Sequence, residues 1–159
     1  MQTPAPSLHS LLAGETTAMD EFIRLLEQEQ AALQAGNTEA LGELGAQKVT
    51  LVGKLNKIGE ERNLLLKASG LPPDRVGVET WISRNGADTA VPQLWNRLKA
   101  CVSKARELNL LNGKLIAMRM EHNQQLLGAL LSSHSQSNKL YGPDGQPAQL
   151  SGRRIIDSA

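Results

Sequence analysis

The sequence predicts an all-α protein made of long helices, and three observations predict it. Aromatic residues make up only 3% of the 159-residue chain, whereas sheet cores draw heavily on aromatic and β-branched side chains. The apolar residues are mostly Leu and Ala, which favour helices. Leucines recur in alternating steps of three and four, as in coiled coils. We therefore expect an antiparallel helical hairpin plus a third long helix, a coiled-coil-like three-helix bundle with a flexible C-terminal tail.

The first predicted helix spans residues 8–35. Ser7 can cap its N-terminus, and Gly36 is suited to the left-handed conformation that ends a helix. Charged residues, Glu15 and Glu29, fill two slots of the heptad alternation. The apolar slots are Leu8, Leu12, Met19, Phe22, Leu26 and Leu33.

The second predicted helix spans residues 38–69 and is capped by Asn37 or Thr38. Here Lys48 and Arg62 take the two charged slots. The apolar slots are Leu41, Leu44, Leu51, Leu55, Ile58 and Leu65. Because the break between the two helices is so short, they should be antiparallel neighbours.

A connector is predicted over residues 70–91. Gly70 and the following Pro72-Pro73 pair end the second helix, because proline cannot continue it. Within the connector, Val78 to Arg84 is expected to form a short turn of helix that carries Trp81.

The third predicted helix spans residues 92–131 and starts near Pro92, which suits a first helical position. At 100° per residue its apolar side chains form two adjacent stripes. One stripe contains Leu108, Leu111, Leu115, Met118, Leu126 and Leu130, and the other contains Ile116, Met120, Leu127 and Leu131. Together they cover an arc of about 220°, wider than the roughly 100° that packing on one core requires.

The width of this arc has two interpretations, which the residues leave open. The helix could be central, packed between the other two, with the polar residues that interrupt the arc setting the register; these are Asn112, Arg119, His122 and Asn123. Alternatively, one stripe packs on the hairpin and the other receives an apolar partner helix. A homodimer would cover the second stripe equally well.

Composition argues against several classes of function. The formal net charge is +1 and the basic residues are dispersed, so we expect neither nucleic-acid binding nor an anionic membrane surface. No apolar run approaches the length of a membrane span, and the first basic residue is Arg24, unlike the charged start of a secretory signal. With a single cysteine, Cys101, no internal disulfide can form. These features predict a cytoplasmic protein without membrane insertion.

Catalytic and metal-binding patterns are missing from the sequence. The three histidines, His9, His122 and His134, do not have the spacing of a helical metal site. We expect no enzymatic activity, no metal site and no cofactor. The predicted organisation is one helical domain over residues 1–137 followed by the flexible tail over residues 138–159, which contains two glycines and two prolines between residues 142 and 147.

Three short motifs occur in a specific order after the leucine-rich helices. The first is Leu108-Asn-Leu-Leu-Asn-Gly-Lys-Leu-Ile116, the second is His122-Asn-Gln-Gln125, and the third is Leu140-Tyr-Gly-Pro-Asp-Gly-Gln146. This order resembles the FlgN family, the export chaperones of the flagellar hook–filament junction proteins. In that family, Leu-Asn-x-x-Asn-Gly-x-Leu lies on the last long helix, Asn-Gln-Gln follows it, and Leu-Tyr-Gly-x-x-Gly-Gln lies in the tail.

The resemblance implies a small all-helical cytoplasmic chaperone without enzymatic activity. Its implied clients are the hook–filament junction proteins, bound through their C-terminal helical regions, and it would deliver them to the cytoplasmic domain of the flagellar export gate. Carried over by position, the client-binding residues are Leu108, Asn112, Leu115, Met118, His122 and Leu126. The candidate for export-gate docking is Leu140, Tyr141 and Gly142. The alternative function is a self-associating structural coiled-coil protein without a client.

Overall fold

Four helices form the described part of the chain. The computed structural model describes residues 5–140, with side chains described for residues 5–136. The helices are α1 (Leu8–Ala35), α2 (Thr38–Ala68), α3 (Arg75–Arg84) and α4 (Ala90–Leu140). No strand occurs within residues 5–140, so the all-α prediction is confirmed. The described residues divide into two compact units, the first ending at Ile116 and the second beginning at Ala117.

The bounds of α1 are the predicted ones, and local hydrogen bonds explain them. The Ser7 hydroxyl accepts from the Ser10 backbone N–H at 3.1 Å, and the Ser10 hydroxyl accepts from the Ser7 N–H at 3.0 Å. This reciprocal pair satisfies two amides that have no partner inside the helix. At the other end Gly36 has φ of 74°, a conformation that glycine adopts without steric cost.

The connector contains a longer helix than the sequence indicated. The α3 helix begins at Arg75, three residues before the predicted Val78, because the Asp74 carboxylate accepts a hydrogen bond from the Gly77 N–H at 3.1 Å. A Cβ at Gly77 would lie 1.8 Å from the Pro72 carbonyl oxygen. Glycine is therefore required where the first turn of α3 meets the loop.

The predicted end of the third long helix was wrong, whereas its start lies only two residues before the predicted position near Pro92. It begins at Ala90 rather than Pro92, because the Asp88 carboxylate caps the backbone N–H groups of Ala90 and Val91 at 3.0 and 3.2 Å. It runs on to Leu140, so the polar stretch after residue 131 is helical. Ser, Gln and Asn have only moderately lower helix propensity than Leu. The helix thus includes residues 138–140, which the prediction placed in the tail.

Ion pairs fix α2 antiparallel to α1 within the first unit. Lys48 Nζ lies 3.1 Å from Glu29 Oε2, and the Arg62 guanidinium pairs with the Glu15 carboxylate. These are the four charged residues that fill heptad slots, so each charge in one helix meets the opposite charge in the other. The predicted antiparallel hairpin is confirmed.

The first part of α4 runs parallel to α1. Arg97 Nη2 lies 2.6 Å from Asp20 Oδ2, and Lys104 Nζ lies 2.7 Å from Glu27 Oε1. Both partners therefore advance by seven residues in the same direction. The core of this unit is formed by leucines of α1 and α2 together with Val78, Val91, Trp95 and Leu98, so α3 and α4 close the bundle that the hairpin begins.

Candidate functional site

Every seventh residue in the first part of α4 is buried. This line consists of Val91, Leu98, Ala105 and Asn112, none of them more than 6% exposed. Seven-residue spacing keeps side chains on one seam of a helix. The next members of the same line are Arg119 and Leu126, which belong to the second unit.

Asn112 lies inside the bundle rather than on its surface. Its Nδ2 donates to the Leu26 carbonyl oxygen at 2.9 Å and to Glu29 Oε2 at 2.8 Å. Glu29 also pairs with Lys48, whose Nζ donates to Asn109 Oδ1 at 2.9 Å. The asparagine therefore belongs to a polar network that joins three helices, which is the register-setting role considered from the sequence.

Leu108 also belongs to the first unit's core. It is half-buried and packs against the cluster around Ile23, Leu26 and Ala105. Leu115 is half-buried as well. The structure therefore places Leu108 and Asn112 among residues that hold the bundle together, and a partner could reach neither of them fully without displacing α1.

The second unit presents a set of exposed large apolar side chains. Residues 117–136 include no buried side chain, and Arg119 alone among them is half-buried. We call the following five residues the α4 apolar surface: Met120, Leu126, Leu127, Leu130 and Leu131. Each is between 51% and 65% exposed. Met118, 66% exposed, lies on the other side of Leu126.

The side chains of the α4 apolar surface lie on one side of the helix. At 100° per residue its five side chains span about 140°, with Leu126 at one edge and Leu131 at the other. Arg119 and Asn123 lie within this arc, and His134 lies between Leu130 and Leu127. Charge is sparse, because Arg119 and Glu121 are the only Lys, Arg, Asp or Glu residues from 117 to 136. A surface of this kind suits another amphipathic helix.

The predicted site residues thus fall into three groups. Met118, His122 and Leu126 are exposed on α4, whereas Leu108, Asn112 and Leu115 are wholly or partly packed. Leu140 is the last residue of α4, and its side chain is not among those described. Tyr141 and Gly142 lie outside the described residues.

Sequence reasoning placed Leu127, Leu130 and Leu131 in the two stripes, one of which could receive a partner helix, but it named neither these leucines nor Arg119 among the client-binding residues. The signal that identifies the relevant face is the line through Val91 and its successors. That line of buried residues shows which side of α4 packs into the core. The client-binding residues were predicted from a motif match alone, which does not distinguish residues on that side from exposed ones.

Other features of the described residues do not indicate catalysis. A cleft of about 360 Å³ in the first unit is lined by Glu15, Arg62, Trp95 and other residues of α3 and α4, but its carboxylate is already paired with Arg62. Within residues 5–136 no three His, Cys, Asp or Glu side chains converge as metal ligands would. None of the described helices has both the length and the apolar character of a membrane span.

Comparison with known proteins connects this helical arrangement to one family. A sequence model described as "FlgN protein" matches residues 1–149. The Flagella synthesis protein FlgN of Yersinia enterocolitica serotype O:8 / biotype 1B is 31% identical over 151 residues, covering 87% of this chain and 94% of the relative. The protein of the same name from Salmonella typhimurium is 27% identical over 141 residues, covering 87% and 89%.

A solved structure shares the fold. It is a crystal structure of a Pseudomonas aeruginosa protein assigned as a flagella synthesis protein, with a TM-score of 0.63 and 24% identity, covering 82% of this chain and 98% of that one. The relatives extend over nearly the same length as this chain, so the likeness concerns the whole helical arrangement and not one motif. The resemblance seen in the three motifs is confirmed, and the chain belongs to the FlgN family.

Proposed function

We propose that this protein is a cytoplasmic flagellar export chaperone that binds hook–filament junction proteins, prevents their premature assembly and delivers them to the export gate. The α4 apolar surface is the observation that carries the proposal. Five large side chains exposed together are unusual on a helix that has no further role, because covering them is favourable by about 25 cal/mol for each Å² buried. Membership of a family whose relatives are named flagella synthesis proteins supports the flagellar setting.

The client-binding site is proposed to be this surface, which includes Leu126, together with Met118 and His122. A client helix that buries its own apolar face there would be removed from water and from other subunits, which is what a chaperone must achieve before export. Because the polar residues around the surface are mostly uncharged, the contact would depend on shape and apolar area rather than on net charge. Leu108 and Asn112 are left out of the contact, since both hold the bundle together.

Leu130→Asp tests this site, and the chain offers a matched control. Leu130 and Leu64 are both 65% exposed leucines in helices, but Leu64 lies on α2. A carboxylate in a desolvated apolar contact should cost about 2–4 kcal/mol of binding free energy, roughly 30-fold to 1,000-fold in Kd. Titration calorimetry with the C-terminal helical region of a junction protein measures the Kd of each variant. Leu64→Asp should bind like the wild type, and circular dichroism should show unchanged helix content in both variants.

The same titration separates the alternative function. In a self-associating structural protein the surface would be covered by a second copy, so Leu130→Asp would convert an oligomer to a monomer and no client heat would be seen with the wild type. Sedimentation velocity of the free protein distinguishes these outcomes. Unchanged client affinity in folded Leu130→Asp would show that the client binds elsewhere.

Docking at the export gate is proposed to use Leu140, Tyr141 and Gly142. The support is the third motif, Leu-Tyr-Gly-x-x-Gly-Gln, together with the suitability of tyrosine as an anchor that buries a large ring and keeps one hydroxyl for a hydrogen bond. Tyr141→Ala should leave client affinity unchanged and weaken binding of the loaded complex to the gate's cytoplasmic domain. Equal gate affinities of wild type and variant, measured with client bound, would exclude Tyr141 as the anchor.

A further inference from the structure

Charged residues in the heptad slots of the first unit are matched across helices. Glu29 faces Lys48 at 3.1 Å, and Glu15 pairs with Arg62. Glu29 is only 8% exposed and Glu15 only 9% exposed. A charge at such a depth requires a counter-charge, because leaving it unpaired is much more costly than leaving an exposed charge unpaired. Opposite charges at these positions also fix the register in which two helices pack.

Arg119 occupies the corresponding kind of position in the second unit. It follows the buried residue Asn112 by seven positions and precedes Leu126 by seven, so it lies within the arc of the α4 apolar surface. It is half-buried, unlike the other side chains from 117 to 136. No carboxylate among the described residues 5–136 forms an ion pair with it.

We infer that Arg119 recognises a carboxylate on the client helix and thereby sets the register in which the client lies on the α4 apolar surface. The inference rests on the proposed function and adds the chemistry of the partner: an amphipathic helix with an Asp or Glu embedded in its apolar face. Arginine suits this role because its planar guanidinium can donate two parallel hydrogen bonds to one carboxylate. Among the described residues 117–136, Arg119 is the one Lys or Arg within the arc, so a misaligned client would bury its carboxylate and the guanidinium unpaired.

The inference is tested by reversing the charge of Arg119 in the chaperone and the charges of the carboxylates in the client. Arg119→Glu should weaken binding of the junction protein's C-terminal helical region by about 30-fold or more, because two carboxylates would then face each other. Lys114→Glu is the matched control, since it changes the net charge equally and lies about 140° away around α4 at 100° per residue. It should change Kd less than about threefold at 150 mM salt.

The decisive measurement is rescue. Each Asp and Glu of the client segment is changed singly to Lys, and each variant is titrated against wild type and Arg119→Glu. One client variant should bind Arg119→Glu within about threefold of the wild-type pair while binding the wild-type chaperone poorly, as expected when a pair is inverted. The inference is overturned if Arg119→Glu binds the client normally, if no client variant restores binding, or if Arg119→Glu changes only the self-association of the free protein.

Failure of the inference and failure of the proposed function give different results. If Leu130→Asp abolishes client binding and Arg119→Glu does not, the surface binds the client but Arg119 does not select it. If neither variant affects binding, the client site itself lies elsewhere. Circular dichroism of Arg119→Glu checks the fold. Because Arg119 is only half-buried, the substitution should not reduce the helix content.

Discussion

The two parts of α4 resemble each other in sequence pattern and differ in burial. From Ala90 to Ile116 the helix supplies buried residues at a regular seven-residue spacing, whereas from residue 117 to 136 the same spacing yields the half-buried Arg119 and then the exposed Leu126 and Ser133. Leucines are as frequent in the second part as in the first. Periodicity therefore identifies the apolar face of a helix, but burial requires another helix against that face. Apolar residues without such a neighbour are the ones to examine for binding.

The largest effect that this comparison predicts concerns stability. Leu98 is 2% exposed and Leu130 is 65% exposed, although both are leucines on α4. Leu98→Ala should lower the free energy of unfolding by about 2–5 kcal/mol, because it removes buried methyl groups and leaves a cavity. Leu130→Ala should change it by no more than about 0.5 kcal/mol. Urea unfolding followed by circular dichroism measures both, and similar losses would mean that residue 130 is packed in solution.

A smaller effect on stability is expected at the two asparagines of the first and second motifs, Asn112 and Asn123. Asn112→Ala removes the donors to the Leu26 carbonyl and to Glu29, and buried hydrogen bonds of this kind contribute about 1–3 kcal/mol. Asn123→Ala, at an exposed position, should be neutral within about 0.5 kcal/mol. The same unfolding assay applies. If Asn112→Ala is as stable as the wild type, Asn112 does not stabilise the bundle through its hydrogen bonds and is again a candidate client-binding residue.

The hairpin could be predicted almost completely from the sequence. Ser7, Gly36 and Asn37 have local roles that their side chains and backbone preferences determine, so the bounds of α1 and the start of α2 followed directly. The charged heptad slots were visible in the sequence, but the pairing of Glu29 with Lys48 and of Glu15 with Arg62 was not predicted and comes from the structure. The predicted features depend on residues close in sequence or on one simple packing rule.

The end of α4 and the accessibility of its residues could not be predicted in the same way. Ser and Asn have moderately lower helix propensity than Leu, so whether they continue a helix depends on context, and the hydroxyls of Ser133 and Ser135 donate to the carbonyls of Leu130 and Ser132 within the helix. Asn112 was assigned to the client site because a motif matched there. A motif identifies a residue type and spacing, but it does not distinguish a residue that holds the fold from one that contacts a partner.

The smallest predicted effect concerns the thiol of Cys101. Burial raises its pKa, and the hydrogen bond from Sγ to Asp20 Oδ1 at 3.4 Å together with the charge of Asp20 raises it further, since both favour the neutral thiol. The folded state then holds the proton to higher pH than the unfolded state. Any contribution to stability is complete below the unfolded pKa and is lost as the pH rises through the folded pKa.

Alkylation by iodoacetamide as a function of pH measures this shift, because only the thiolate reacts. The alkylation rate of Cys101, plotted against pH, should reach half its maximum at a pH above the usual pKa of a thiol. A cysteine placed in the second part of α4, in the double variant Cys101→Ser with Ala129→Cys, should titrate at the usual value, because residue 129 is exposed. Asp20→Asn should move the Cys101 midpoint partway back, since burial, the larger cause, remains. Equal midpoints for the two cysteines would show that Cys101 is as accessible to water as the exposed part of the helix, and the packing of α4 against α1 around Asp20 would have to be looser than the structure shows.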